Sequence, residues 1–157
     1  MLFRSRGIDD AVEMAKLVAT HAPITGANKP GAPLVLPCST GVIGRYLPME
    51  KIRAGIAALA PTVSRGNAAD AATATAIMTT DLVPKSAHRT VKLNGKTITL
   101  AGIAKGSGMI QPNLATMFGF ITTDAAIHPK ALKAALKAAV TVSFNRLSVD
   151  MDTSTSD

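Results

Sequence analysis

The chain has 157 residues, 47% of them hydrophobic and 3% aromatic, with no tryptophan and a formal charge of +7. That length suits one domain closed by small aliphatic side chains, which favours helices packed on a sheet over an aromatic-rich sandwich. The positive residues are scattered without interleaved aromatics, which argues against a nucleic-acid surface, and no run approaches the roughly 18 apolar residues that a membrane span needs. Cys38 is the single cysteine, which excludes an intrachain disulfide and points to a reducing, cytoplasmic compartment. A small buried residue beside a turn is the expected role of Cys38. The opening MLFRSRG is basic but lacks the apolar stretch of a signal peptide.

Ile8, Ala11, Val12, Ala15 and Val18 recur at helical spacing and predict a helix that ends before His21-Ala22-Pro23, with Asp10 and Glu13 in the positions of a capping box. A Gly/Pro/Asn-rich loop then leads to Leu34-Val35-Leu36, a short buried strand closed by Pro37. Pro48 to Ala60 predicts a second helix, with Glu50 near its positive end and Ile52, Ile56 and Leu59 in one stripe. Pro61 to Asn67 is a loop. The Ala/Thr-rich stretch from Ala68 to Met78 fits either a tightly packed helix or an irregular buried segment, because threonine weakens helices.

Val91 and Leu93 alternate with polar neighbours, Asn94-Gly95 has the residues of a two-residue type I′ turn, and Ile98 and Leu100 continue the alternation. A β-hairpin follows. Met117 to Thr122 predicts a strand. Pro129 opens a helix with Leu132, Ala135, Leu136, Ala139 and Val140 on one side and Lys130, Lys133 and Lys137 towards solvent. Ser143 to Val149 is expected to be extended. The polar ending MDTSTSD caps no visible element, so both ends are expected to be cut from a longer chain.

The chemistry concentrates in Lys105 to Phe120, KGSGMIQPNLATMFGF. A glycine-serine turn and a Pro-Asn corner place the small-residue bond Ala115–Thr116 just before a strand. A threonine hydroxyl is a weak nucleophile unless a base is held beside it. An α-amine on the same residue supplies one, since its reference pKa is about 7.7 to 8.0, but only once the preceding peptide bond is broken. Thr116 Oγ would attack the Ala115 carbonyl, an N-to-O acyl shift would give an ester, and water would release the new terminus. The same Oγ could then accept an acyl group from a substrate. On composition alone a Gly-Ser-Gly turn before a strand is far more often a plain loop. It is also a poor phosphate loop, since Lys105 precedes the glycines.

The segment AKGSGMIQPNLAT resembles the processing and nucleophile segment of the ornithine acetyltransferase (glutamate N-acetyltransferase) family, the bifunctional proteins of arginine biosynthesis. STGVIGRYLPMEKI at Ser39 to Ile52 resembles the oxyanion segment of that family, and IMTTDLVPK and SFNRLSVDMDTSTSD resemble two further blocks in the same order. The resemblance implies an α/β fold of layered helices and sheets, of the self-processing N-terminal-threonine acyltransferase type and incomplete here. It implies a partial acyltransferase domain over residues 1–157, cut into an α portion, 1–115, and the start of a β chain, 116–157. In this reading Thr116 is the nucleophile, Ala115 and Thr116 flank the cut, and Thr40 and Gly41 stabilise the oxyanion. Thr79 and Lys105 contact substrate, with Thr80 an adjacent candidate.

The implied reaction is a ping-pong transfer. N2-acetylornithine acetylates the threonine, ornithine leaves, and glutamate takes the acetyl group. Some members also accept acetyl-CoA, which makes it the one candidate co-substrate. No metal or organic cofactor is implied, and the cleaved α and β chains of the full-length protein are expected to form a heterotetramer. Three positions depart from the pattern: Met151 stands where glycine is expected, Gln111 where histidine is common, and Leu82 where threonine is usual. The 157 residues by themselves are expected to be inactive. Two other classes remain open from the residues: a self-processing amidohydrolase or aminopeptidase that hands its acyl group to water, and a non-catalytic small-ligand-binding domain.

Overall fold

A computed structural model describes residues 4–22, 35–40, 42, 44–111 and 117–153, and the chain forms two units, residues 1–69 and 70–157. The first unit holds two helices. Helix α1, Arg4–His21, starts one turn earlier than the apolar spacing suggests. Asp10 therefore lies inside the helix, not at its cap: it is buried, and its Oδ2 has no hydrogen-bond partner. Glu13, the other half of the expected capping box, turns instead to Arg53 of helix α2, Met49–Leu59. The guanidinium meets both carboxylate oxygens, Nε to Oε1 at 2.5 Å and Nη2 to Oε2 at 3.0 Å, so the pair is bidentate although exposed.

Helix α2 begins where the sequence places it, with Pro48 as its N-cap, Glu50 in the first turn and Met49 buried. A 3-10 turn over Ala60–Thr62 closes it, and the Thr62 hydroxyl returns to the Leu59 carbonyl at 2.8 Å. The expected strand at Leu34–Leu36 is corrected in part: Val35 and Leu36 are irregular and Leu36 is 75% exposed, while Leu34 lies outside the described residues. Three apolar residues before a proline carry no pairing information of their own. Cys38 is exposed, not buried.

The Ala/Thr stretch resolves as helix α3, Asn67–Ala76, in which Thr75 donates back to the Ala71 carbonyl at 2.9 Å and so satisfies its hydroxyl within the helix. Beyond it, strands β1, Lys85–Leu93, β2, Lys96–Lys105, and β3, Phe118–Thr123, form an antiparallel sheet in the order β1-β2-β3. Asn94 at φ +50° and Gly95 at φ +76° make the turn between the first two strands, as a two-residue I′ connection requires. The hairpin is longer than its alternating core, running out to Lys85↔Ala104.

Helix α4, Pro129–Val142, starts at its proline, with the His128 ring accepting the Lys130 N–H at 3.3 Å. The extended stretch expected over Ser143 to Val149 is corrected in part, since Leu147 is extended. Phe144–Arg146 forms a 3-10 turn, because Ser143 ends the helix by donating its hydroxyl to Ala139 and its carbonyl then accepts the Arg146 N–H at 2.9 Å. Among the described residues the buried apolar side chains are Met49, Ala60, Ala74 and Ile110, and many larger ones remain open to solvent.

Candidate active site

The end of the sheet where β2 passes into β3 is where the chemistry-bearing residues of the second unit gather. The last pair of the β2–β3 ladder is Lys105↔Phe118, so the segment that joins the two strands starts at Gly106 and ends at Met117. Gly106 takes φ +144°, and a Cβ built there would lie 3.1 Å from Met117 Cβ and 3.2 Å from Ile110 Cδ1. Only glycine combines that backbone angle with so close an approach.

Asp81 organises the base of this segment. Its side chain has no exposed area, and it accepts the Gly106 N–H at 2.8 Å on Oδ1 and the Thr79 N–H at 3.3 Å on Oδ2. The Lys85 ammonium completes the set in an ion pair with Oδ1. The Lys85 hydrogen bond, with the two backbone N–H groups, holds the Asp81 carboxyl down at about 2 against an ordinary 3.8. One carboxylate thus ties the Thr79 turn, the start of β1 and the exit of β2 together. A second tie lies beside it, where the hydroxyls of Thr80 and Ser107 meet at 2.9 Å.

Lys105, the last residue of β2, is only 6% exposed. An ordinary solvated cation would not be so covered, which removes the plainest alternative for this residue. Further along the loop, Asp150 accepts the N–H groups of Met109 at 2.6 Å and Ile110 at 3.0 Å, and these bonds depress its carboxyl below the usual carboxylate range.

Of the candidate residues, Thr79 and Lys105 are thus joined through Asp81 and Gly106. Ala115, Thr116 and Gly41 lie outside the described residues. Met117 itself packs on Gly106. Thr40 belongs to the first unit, where it is exposed in the irregular segment 35–40. Sequence reasoning missed Asp81 and Asp150. For Asp81 the available signal was the aspartate directly after the two threonines, with a lysine four residues on; nothing local marked it as buried.

Chemically, the base of this segment brings together a buried lysine and neighbouring hydroxyls, and no cluster of metal-ligating residues occurs among the described ones. An apolar groove of about 400 Å³ lies on the sheet, lined by Leu100, Gly102, Ile121 and Phe144 among others, but neither Thr79 nor Lys105 borders it. Lys85, the ion-pair partner of Asp81, is among its lining residues.

Comparison with known proteins bears on which chemistry that is. Residues 3–157 match the ArgJ family. The chain is 50% identical over 153 residues to the arginine biosynthesis bifunctional protein ArgJ of Geobacillus stearothermophilus, covering 98% of this chain and 35% of that protein. It is 49% identical over 152 residues to the protein of the same name from Geobacter sulfurreducens, covering 97% and 37%. With that of Bacillus subtilis it shares 47% over 152 residues, covering 97% and 35%. The chain therefore spans about a third of the length of the curated relatives it matches, and it belongs to the ArgJ family.

Proposed function

We propose that the full-length protein is a glutamate N-acetyltransferase of arginine biosynthesis that cuts itself between Ala115 and Thr116 and then uses Thr116 as its acyl carrier. The family membership supports the activity class. The observation that carries the site is the closed loop base: the ladder ends at Lys105↔Phe118, and Met117 rests on Gly106 beside Asp81. Thr116 is the residue before Met117 in the sequence, and the neighbourhood of Met117 supports reading it together with Thr79 and Lys105.

In this reading the α-amine of Thr116, freed by the cut, takes the proton from Oγ as the hydroxyl attacks the acetyl carbonyl of N2-acetylornithine. The tetrahedral oxyanion is held by the Thr40 hydroxyl and the Gly41 N–H. Ornithine leaves as the amine, and glutamate attacks the acetyl-threonine to give N-acetylglutamate. Donor and product are both amides of similar energy, so the reaction needs no cofactor; acetyl-CoA is the further candidate donor. The covered ammonium of Lys105 suits a substrate carboxylate, because a partly desolvated charge pair is stronger than one in water. The Thr80 hydroxyl is engaged by Ser107, which favours Thr79 as the substrate contact.

The same reading takes residues 1–115 as α chain and 116–157 as the beginning of β, within a self-processing α/β acyltransferase fold and a cytoplasmic heterotetramer. No helix among the described residues is long and apolar enough to cross a membrane. The test is the fate of N2-acetylornithine on the full-length protein with and without glutamate. Acetyl transfer that depends on glutamate, with parallel-line kinetics, is the expected result. Release of acetate whether or not glutamate is present would favour the amidohydrolase class. Binding without turnover would favour the non-catalytic one. Thr40→Ala should lower kcat by about 100-fold, the usual cost of one oxyanion donor, while leaving the melting temperature unchanged.

A further inference from the structure

The first unit carries a pocket that the acyl-transfer reading does not use. Arg6, Asp10 and Glu13 follow one another at helical spacing on α1 and so share one of its faces, while Met49 and Arg53 share a face of α2. The Glu13–Arg53 pair fastens the two helices together. Beside it opens a pocket of about 510 Å³, lined by Arg6, Asp10, Glu50, Lys51 and Arg53, with Leu47, Pro48 and Met49 as its apolar wall. That volume suits a small metabolite. Asp10 is 7% exposed, and its Oδ2 has no hydrogen-bond partner among the described residues. Arg53 does not supply one, because its Nε and Nη2 donate to Glu13. A carboxylate so deeply covered is costly to keep unless a cationic donor meets it.

The rest of the lining has the opposite polarity. The Arg6 guanidinium lies over the Tyr46 ring, 4.2 Å from its centroid, which holds this cation in place without an acidic partner. Pro48 is the N-cap of α2 and no side chain caps the helix, so its first-turn N–H groups form a positive helix end suited to a carboxylate. With Arg53 neutralised by Glu13, the lining keeps two cations, Arg6 and Lys51, and two carboxylates, Asp10 and Glu50. That balance fits a zwitterion better than a phosphate or a polyamine. We propose that this pocket binds a free α-amino acid with an apolar side chain, its ammonium on Asp10 and its carboxylate on Arg6 and the N–H groups that open α2. The ammonium supplies the donor that Asp10 lacks, and the side chain lies against Leu47, Pro48 and Met49. The site is independent of the reading of Thr116.

The competing role for Asp10 is structural, as the ion-pair partner of another segment of the full-length protein. Calorimetric titration of that protein with L-leucine, which is neither donor nor acceptor in the proposed reaction, separates the two. Saturable binding is the expected result. Isoamylamine and isocaproate, each lacking one charged end of leucine, should bind at least about tenfold more weakly. Asp10→Asn should weaken leucine binding at least about tenfold and Arg6→Ala about threefold, the larger loss falling on the buried charge. Melting temperature gives the second readout. Without leucine, Asp10→Asn should leave it unchanged or raise it, because a binding group is kept at the expense of stability. With leucine, the rise seen in the unsubstituted protein should be lost in Asp10→Asn. Absence of leucine binding up to about 10 mM, where a millimolar site would be mostly occupied, would overturn the proposal. So would binding of isoamylamine as tight as that of leucine, or a lower melting temperature for Asp10→Asn without ligand, which is the mark of the structural role. Neither readout involves the cut or acetyl transfer, so this proposal and the reading of Thr116 fail separately.

Discussion

Two regions of the second unit are ordered by opposite means. At the loop base, Asp81 and Asp150 accept backbone N–H groups from distant segments, and order there comes from carboxylates meeting main chain. Along β1 and α4 the backbone is just as regular, yet α4 has no buried residue and every residue of β1 is exposed, Val91 and Leu93 included. The comparison teaches that the candidate site does not depend on a large apolar core near it. Its geometry is held by a few polar contacts whose removal is costly, because a buried donor left unpaired loses its full desolvation energy.

The sharpest way to break this picture is at the atom the polar scaffold serves. Thr116→Ala in the full-length protein should abolish both the cut and acetyl transfer, a loss of at least about 1,000-fold, read by mass and by a coupled assay. Next in size is Asp81→Ala, which orphans the Thr79 and Gly106 N–H groups and should cost about 2–3 kcal/mol in a urea titration. Leu132→Ala on the half-exposed face of α4 should cost about 1 kcal/mol in the same titration. A larger loss at Leu132 than at Asp81 would invert the comparison.

Acid sharpens it further. The Asp81 carboxyl is held at about 2, below its ordinary 3.8, so its stabilising contribution is complete above about pH 4 and disappears as pH falls from about 4 towards 2. With Lys85 partly exposed and screening the pair, that contribution is about 1–2 kcal/mol, and Asp81→Asn should flatten the acid limb of the stability profile by that amount. Met151 offers a gain instead. It is 76% exposed at φ +61°, so Met151→Gly should stabilise by about 1 kcal/mol, the left-handed penalty less the entropy glycine adds to the unfolded chain. The smallest effect is expected at Leu82, 93% exposed, where Leu82→Thr should change stability by less than about 0.5 kcal/mol.

What could be read from residues alone was what local chemistry dictates. Asn94-Gly95 announced its turn because few other pairs accept two positive φ angles. Pro48 and Pro129 marked helix starts because proline fits a first turn. Asp10 and Glu13 misled as a capping box, since the three-residue spacing occurs equally inside a helix; what decided their roles was burial for one and Arg53, 40 residues away, for the other. Ser143 to Val149 misled because a serine that closes a helix by back-bonding looks the same in sequence as one that opens a strand. Lys105 could be named from the family resemblance, but its burial and its link through Gly106 to Asp81 are products of tertiary folding. The same holds for Asp150, whose partners Met109 and Ile110 lie 41 and 40 residues upstream.

The central claim is that Thr116 becomes a nucleophile by acquiring a free α-amine. Intact mass and N-terminal sequencing of the purified full-length protein test it most directly. The account predicts two chains, one ending at Ala115 and the other starting at Thr116, with an acetyl group appearing on the second after incubation with N2-acetylornithine. An undivided polypeptide that transfers acetyl groups at full rate would contradict it.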